Sequence, residues 1–131
     1  RNVVSDDLDG DGRVDLLVVE DKWKKGQKLH VYRNVLETSH HWIGVRLREE
    51  GAGRSPIGAR VTVHTSGGRQ VGHIITGETL AAQHAPTIHF GLGDVSQVDR
   101  IEVRWVSGAV RRIENPAVNQ YHLVEPPQIA D

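Results

Sequence analysis

Ala59-Arg60-Val61-Thr62-Val63-His64-Thr65-Ser66-Gly67-Gly68-Arg69-Gln70-Val71-Gly72-His73-Ile74-Ile75-Thr76 alternates apolar and polar residues on both sides of a Gly-Gly pair. Alternation at a period of two sends successive side chains to opposite faces, so it predicts a strand with one buried face. Gly67-Gly68 suits a primed two-residue turn, and the stretch therefore predicts an antiparallel hairpin of 59–65 with 70–76. In that register Ala59, Val61 and Val63 share the buried face with Ile74, while Arg60, Thr62 and His64 face water with Arg69 and His73. His64 and His73 then lie diagonally across the outer face.

The same grammar recurs outward from this hairpin. Ile101-Glu102-Val103-Arg104-Trp105 alternates ahead of Ser107-Gly108, and 110–113 returns beyond it. Further short apolar runs at 16–20, 28–34, 42–49, 87–90 and 121–125 read as strands, and 14 glycines punctuate the chain. No window longer than about ten residues sustains a helical period. The expected fold is all-β, a β-sandwich or barrel of about seven strands preceded by a short N-terminal β-hairpin. Its expected core is Val61, Val63, Ile74, Phe90, Leu92, Ile101, Val103 and Trp105, with Trp42 also read as a core position. A boundary is expected near 37–40, dividing 1–37 from 38–131.

The N-terminal part carries the one run whose spacing calls for chemistry. Asp7-Leu8-Asp9-Gly10-Asp11-Gly12-Arg13-Val14-Asp15 crowds four carboxylates around two glycines. Like charges this close disfavour each other's ionisation, and a hard cation held by oxygens removes the conflict. The expected calcium ligands are the side chains of Asp7, Asp9, Asp11 and Asp15 and the backbone carbonyl of Arg13. This is not an EF-hand. The twelfth position from Asp7 is Val18, inside an apolar strand, where an EF-hand needs a bidentate glutamate.

Composition narrows the function classes. Sixteen basic and 17 acidic residues leave a net charge of −1, so no global field points to nucleic acid or to an anionic membrane. No apolar run approaches the ~20 residues a membrane-spanning helix needs. Cysteine is absent, so no disulfide staples the fold. Methionine is also absent and the chain begins at Arg1, which suggests a piece of a longer protein. A missing leader therefore carries no information on compartment.

The order of motifs has a family resemblance. The 7–15 loop and the apolar strand after it resemble the calcium loop of the FG-GAP or VCBS repeat of integrin-type β-propellers. Then follow Val31-Tyr32-Arg33-Asn34, His41-Trp42-Ile43-Gly44-Val45-Arg46-Leu47, Ile57-Gly58-Ala59-Arg60-Val61-Thr62-Val63, His89-Phe90-Gly91-Leu92-Gly93, Val98-Asp99-Arg100-Ile101-Glu102-Val103 and Trp105-Val106-Ser107-Gly108. That succession resembles the ASPIC/UnbV family, the C-terminal module of cartilage acidic protein and of many bacterial secreted proteins. One departure is Val106, where the family usually has proline in a W-P-S-G turn. The resemblance implies the end of a calcium-binding propeller followed by an ASPIC/UnbV domain, with further propeller repeats upstream. It also implies a secreted, extracellular or periplasmic setting, and it brings no known catalytic mechanism.

Other constellations are weaker. His40 and His41 are adjacent, so on a strand they diverge, and no HExxH motif accompanies the eight histidines. No G-x-S-x-G elbow surrounds any serine, and no carboxylate pair has a defined separation. The sequence thus offers no catalytic constellation. The function expected is a calcium-binding interaction or adhesion module without catalysis, meeting a protein or glycan and no nucleic acid. The alternatives are a carbohydrate-acting accessory domain of an enzyme and an architectural cap on a β-propeller. Trp23, with Lys22, Lys24 and Lys25 beside it, is the expected partner contact, joining a possible stacking ring to positive charge.

Overall fold

A computed structural model describes residues 2–22, 26–49, 53–77 and 83–128. Ten strands in three sheets carry the fold, and no helix occurs among the described residues. The chain divides into two compact units, Arg1–Thr38 with Thr76–Ala85 and Ser39–Ile75 with Pro86–Asp131.

In the first unit, β1 (Asn2–Asp6), β2 (Asp15–Lys22) and β3 (Gly26–Tyr32) form an antiparallel meander. The aspartate-rich segment is the connection between β1 and β2, whose last pair is Asp6 with Asp15. Strand β1 was not among the expected strands. Its five residues hold only two apolar side chains, and pairing with β2, rather than local pattern, makes it a strand.

The second unit is a sandwich of seven strands. One sheet sets β4 (His41–Leu47) between β7 (Thr87–Gly93), which is antiparallel, and β10 (Tyr121–Val124), which is parallel. The other sheet has the order β6 (Gly68–His73), β5 (Arg60–Thr65), β8 (Arg100–Arg104), β9 (Val110–Glu114), antiparallel throughout. The two sheets stay separate, so the sandwich and not the barrel is realised. Ile43 and Val45 from one sheet and Val61, Val63, Ile101 and Val103 from the other lose all exposure in a single core. Every residue expected in that core is buried there except Trp42.

Trp42 corrects the sequence reading. Ile43, Val45 and Leu47 take the inner face of β4, and period-two alternation turns Trp42, Gly44 and Arg46 outward. Trp42 is half-buried against the stacked ring of His89, 5.2 Å between centroids, and Tyr121 at 4.9 Å. Gly44 makes this possible, because a Cβ there would lie 2.1 Å from the Tyr121 ring.

The two hairpins turn at positions other than those their glycines suggest. Thr65 pairs with Gly68, so Ser66 and Gly67 form the first turn, and His64 stands opposite Arg69 while Arg60 stands opposite His73. This register differs from the expected one by two residues, which leaves every side chain on its expected face. In the second hairpin Trp105 accepts a bond from Gly108 N at 3.0 Å and donates to Ala109 O at 2.9 Å. A three-residue loop closed by a left-handed Gly108, φ 91°, replaces the simple two-residue turn.

Candidate metal centre

The β1–β2 connection is folded around the Asp7 carboxylate. Its Oδ1 accepts backbone N–H bonds from Gly10 at 2.8 Å and Asp11 at 3.1 Å, and its Oδ2 accepts one from Gly12 at 2.8 Å. Such a wrap needs left-handed backbone, supplied by Gly10 at φ 76° and Gly12 at φ 88°. Asp9 Oδ1 accepts from Asp11 N at 3.3 Å, and Asp11 Oδ1 from Arg13 N at 2.9 Å.

Asp15 has a second task. Only 3% exposed, it accepts from Leu8 N at 3.1 Å through Oδ2 and from Asn34 N at 2.7 Å through Oδ1. Asn34 Nδ2 in turn donates to Val14 O at 3.2 Å. One buried carboxylate thereby ties the loop to the start of β2 and to the chain leaving β3. The pairing of Leu16 with Tyr32 brings these segments together across the sheet.

Carboxylate oxygens of Asp7, Asp9 and Asp15 lie within 4.8 Å of one another. Two oxygens bound on opposite sides of a calcium ion are separated by about 4.6–5.2 Å, twice the usual Ca–O distance, so the trio fits one shared ion. All three are hard oxygen donors, the ligand chemistry that calcium prefers.

Asp11 and Arg13 are differently engaged. The Arg13 guanidinium grips Asp11 Oδ2 through Nε at 3.0 Å and more closely through one terminal nitrogen. Its other terminal nitrogen reaches Leu36 O at 3.5 Å. Arg33 bridges Asp9 at 2.7 Å and Asp11 at 3.5 Å. The side-chain hydrogen bond from Arg13 chiefly, with its backbone N–H and the charges of Arg13 and Arg33, holds the Asp11 carboxyl down at about 2. Arg13 is pushed above its ordinary value by the same bond. The loop therefore sets two guanidiniums and a ring of N–H donors against its four carboxylates, which relieves much of the repulsion the bare sequence implies. The basic residue Arg33 and the amide Asn34 escaped the sequence reading because only the β2–β3 register brings them to the loop.

Of the expected partner contacts, Trp23, Lys24, Lys25 and the side chain of Lys22 lie outside the described residues. The largest aromatic grouping among the described residues is instead that of Trp42, His89 and Tyr121, with the Arg46 guanidinium 5.7 Å from the centre of the Tyr121 ring. Its signal in the sequence is the outward parity of Trp42, readable once Ile43, Val45 and Leu47 are assigned inward.

The family model described as "ASPIC and UnbV" matches residues 49–130, more than half of the chain. No curated protein matches it.

Proposed function

We propose, for a chain that belongs to the ASPIC and UnbV family, a calcium-ordered interaction module that binds partners without chemical turnover. The observation that carries the metal assignment is the convergence of the Asp7, Asp9 and Asp15 oxygens within 4.8 Å at the turn between β1 and β2. A bound divalent cation supplies fixed positive charge there and no acid–base chemistry. Asp7 and Asp15 would serve it while still accepting their backbone bonds, since each carboxylate oxygen has two lone pairs. Asp9 and Asp11 would be drawn from Arg33, and the Arg13 carbonyl is the proposed backbone ligand.

Support for a propeller repeat comes from the first unit itself. Its three-strand meander matches three of the four strands of a propeller blade. Leu29 and Val31, which share a face with Leu17 and Val19, are 63% and 58% exposed. A sheet with an uncovered apolar face gains by stacking on a neighbouring blade. On this reading the module is secreted, extracellular or periplasmic, the setting in which calcium sites of weak affinity are filled.

Calorimetric titration of calcium into the chelator-treated chain tests the metal assignment. One site with an affinity in the micromolar to millimolar range is expected, and it should vanish in Asp9→Ala. Heat indistinguishable from dilution would overturn it.

A further inference from the structure

The outer face of the β6-β5-β8-β9 sheet is far more basic than the chain as a whole. Cross-strand register places Arg69, His64, Arg100 and Glu114 in one row. The next row is Val71, Thr62, Glu102 and Arg112, and the third is His73, Arg60, Arg104 and Val110. Directly paired residues share a face, so five arginines and two histidines stand against two glutamates. The chain overall has a net charge of −1.

Little of this charge is neutralised internally. Glu102 is taken by Arg112, whose Nε donates to Oε2 at 2.8 Å. Among the described residues no ion pair engages Arg60, Arg69, Arg100 or Arg104, although Glu114 faces Arg100 across the ladder. The Arg100 Nε is buried and has no hydrogen-bond partner among the described residues. The positive field is felt at Glu102: the Arg112 hydrogen bond first, then the charges of Arg112, Arg100 and Arg104, depress its carboxyl. Arg60, His64, Arg69 and Arg100 surround an open hollow of about 280 Å³ with Thr62 and Glu102 on its lining.

We propose that this face binds an acidic polysaccharide, with sulfate or carboxylate groups held between the guanidiniums of Arg60, Arg69 and Arg100. Three features select that partner. Every full cation on the face is arginine, although the chain has four lysines, and the planar guanidinium fork matches oxyanions bidentately. The twelve register positions hold no tryptophan, tyrosine or phenylalanine, so the large aromatic platforms on which nucleic-acid bases stack are absent from them. The cations form a grid, about 5 Å between strands and about 7 Å along them, spread over a broad face rather than along a sheet edge. A stiff, repeating polyanion engages such a grid with little loss of conformational entropy, whereas an acidic peptide must order every residue to do so.

This names the partner class for the interaction module proposed above, and it does not depend on the calcium loop. The full chain is passed in chelator-containing buffer over immobilised heparin and immobilised polygalacturonate, with polyglutamate and duplex DNA supports as comparisons. The wild type should be retained on at least one polysaccharide and elute from it at higher salt than from polyglutamate or DNA. The triple variant Arg60→Gln, Arg69→Gln, Arg100→Gln should bind at least about tenfold more weakly, since three charge-assisted contacts are lost. A control with the same loss of charge, Arg46→Gln, Arg48→Gln, Arg54→Gln, should bind as the wild type does. Glu102→Gln should elute later than wild type, because it removes the central negative charge and releases Arg112. This gain of binding keeps the test decisive if the triple variant folds poorly. Failure of the wild type to bind either polysaccharide overturns the proposal, as does equal retention on polyglutamate or DNA. Equal losses in the triple variant and the control, or an unchanged Glu102→Gln, also overturn it. Because calcium is chelated throughout, the calcium assignment can fail in calorimetry without altering any of these outcomes.

Discussion

Asp9 and Asp15 belong to the same loop and differ in what each would cost to remove. Asp15 is buried and satisfies two backbone donors, Leu8 N and Asn34 N. Asp15→Ala should therefore lower calcium-free stability by about 1–3 kcal/mol for each donor left unsatisfied. Asp9→Ala, at a side chain 38% exposed, should leave calcium-free stability within about 0.5 kcal/mol. Urea melts of both variants in chelator measure the difference, and equal losses would refute this division of labour. Arg33 offers a test from the other side. Its guanidinium sits 2.7 Å from Asp9 and competes for a carboxylate that a cation would need. Arg33→Gln should tighten calcium binding by up to about fivefold, the scale of one exposed ion pair. Weaker binding in that variant would mean that Arg33 organises the site instead of competing for it.

At the scale of single elements, the Trp105–Ala109 hairpin and the β8–β9 ladder each make a measurable claim. Gly108 N bonds to Trp105 O, so Val106 occupies the second position of a four-residue turn, where proline's fixed φ is favoured. Val106 is 75% exposed, so a ring there meets little resistance from its surroundings. Val106→Pro should raise stability by about 0.4–1 kcal/mol by restricting the unfolded chain. A lower melting temperature would show that contact of the valine side chain with Gly58 matters more. On the ladder, Arg112 holds the Glu102 carboxyl below the ordinary value of 4.5. A carboxyl depressed by folding binds fewer protons in the native state than in the unfolded one. Its stabilisation is thus complete above that ordinary value and fades as pH falls through the folded value. Denaturation curves taken between pH 7 and pH 3 should show a smaller acid loss in Glu102→Gln than in the wild type. Superimposable profiles would remove Glu102 from the acid response.

Across the whole molecule, stability should concentrate where the apolar burial is. Phe90, 5% exposed between the sheets, anchors β7 to the core shared by both. Phe90→Ala should cost about 3–5 kcal/mol through lost transfer energy and the cavity left behind. Chemical denaturation followed by tryptophan fluorescence would check it, and a loss under about 1 kcal/mol would imply that the sandwich collapses to fill the gap. The sequence alone determined the all-β class, the inward set from Val61 to Trp105 and the composition of the aspartate loop. Each follows from local periodicity or spacing, which a strand or turn obeys wherever it is placed. It also determined which side chains of the 59–76 hairpin share a face, since a register shift of two leaves faces unchanged. Long-range pairing alone decided the rest. It made β1 a strand, turned Trp42 out of the core, and brought Arg33 and Asn34 to the aspartates. It also gathered arginines from four strands onto one face. Residues far apart in the chain meet only when strands choose partners, and that choice depends on burial summed over the whole fold.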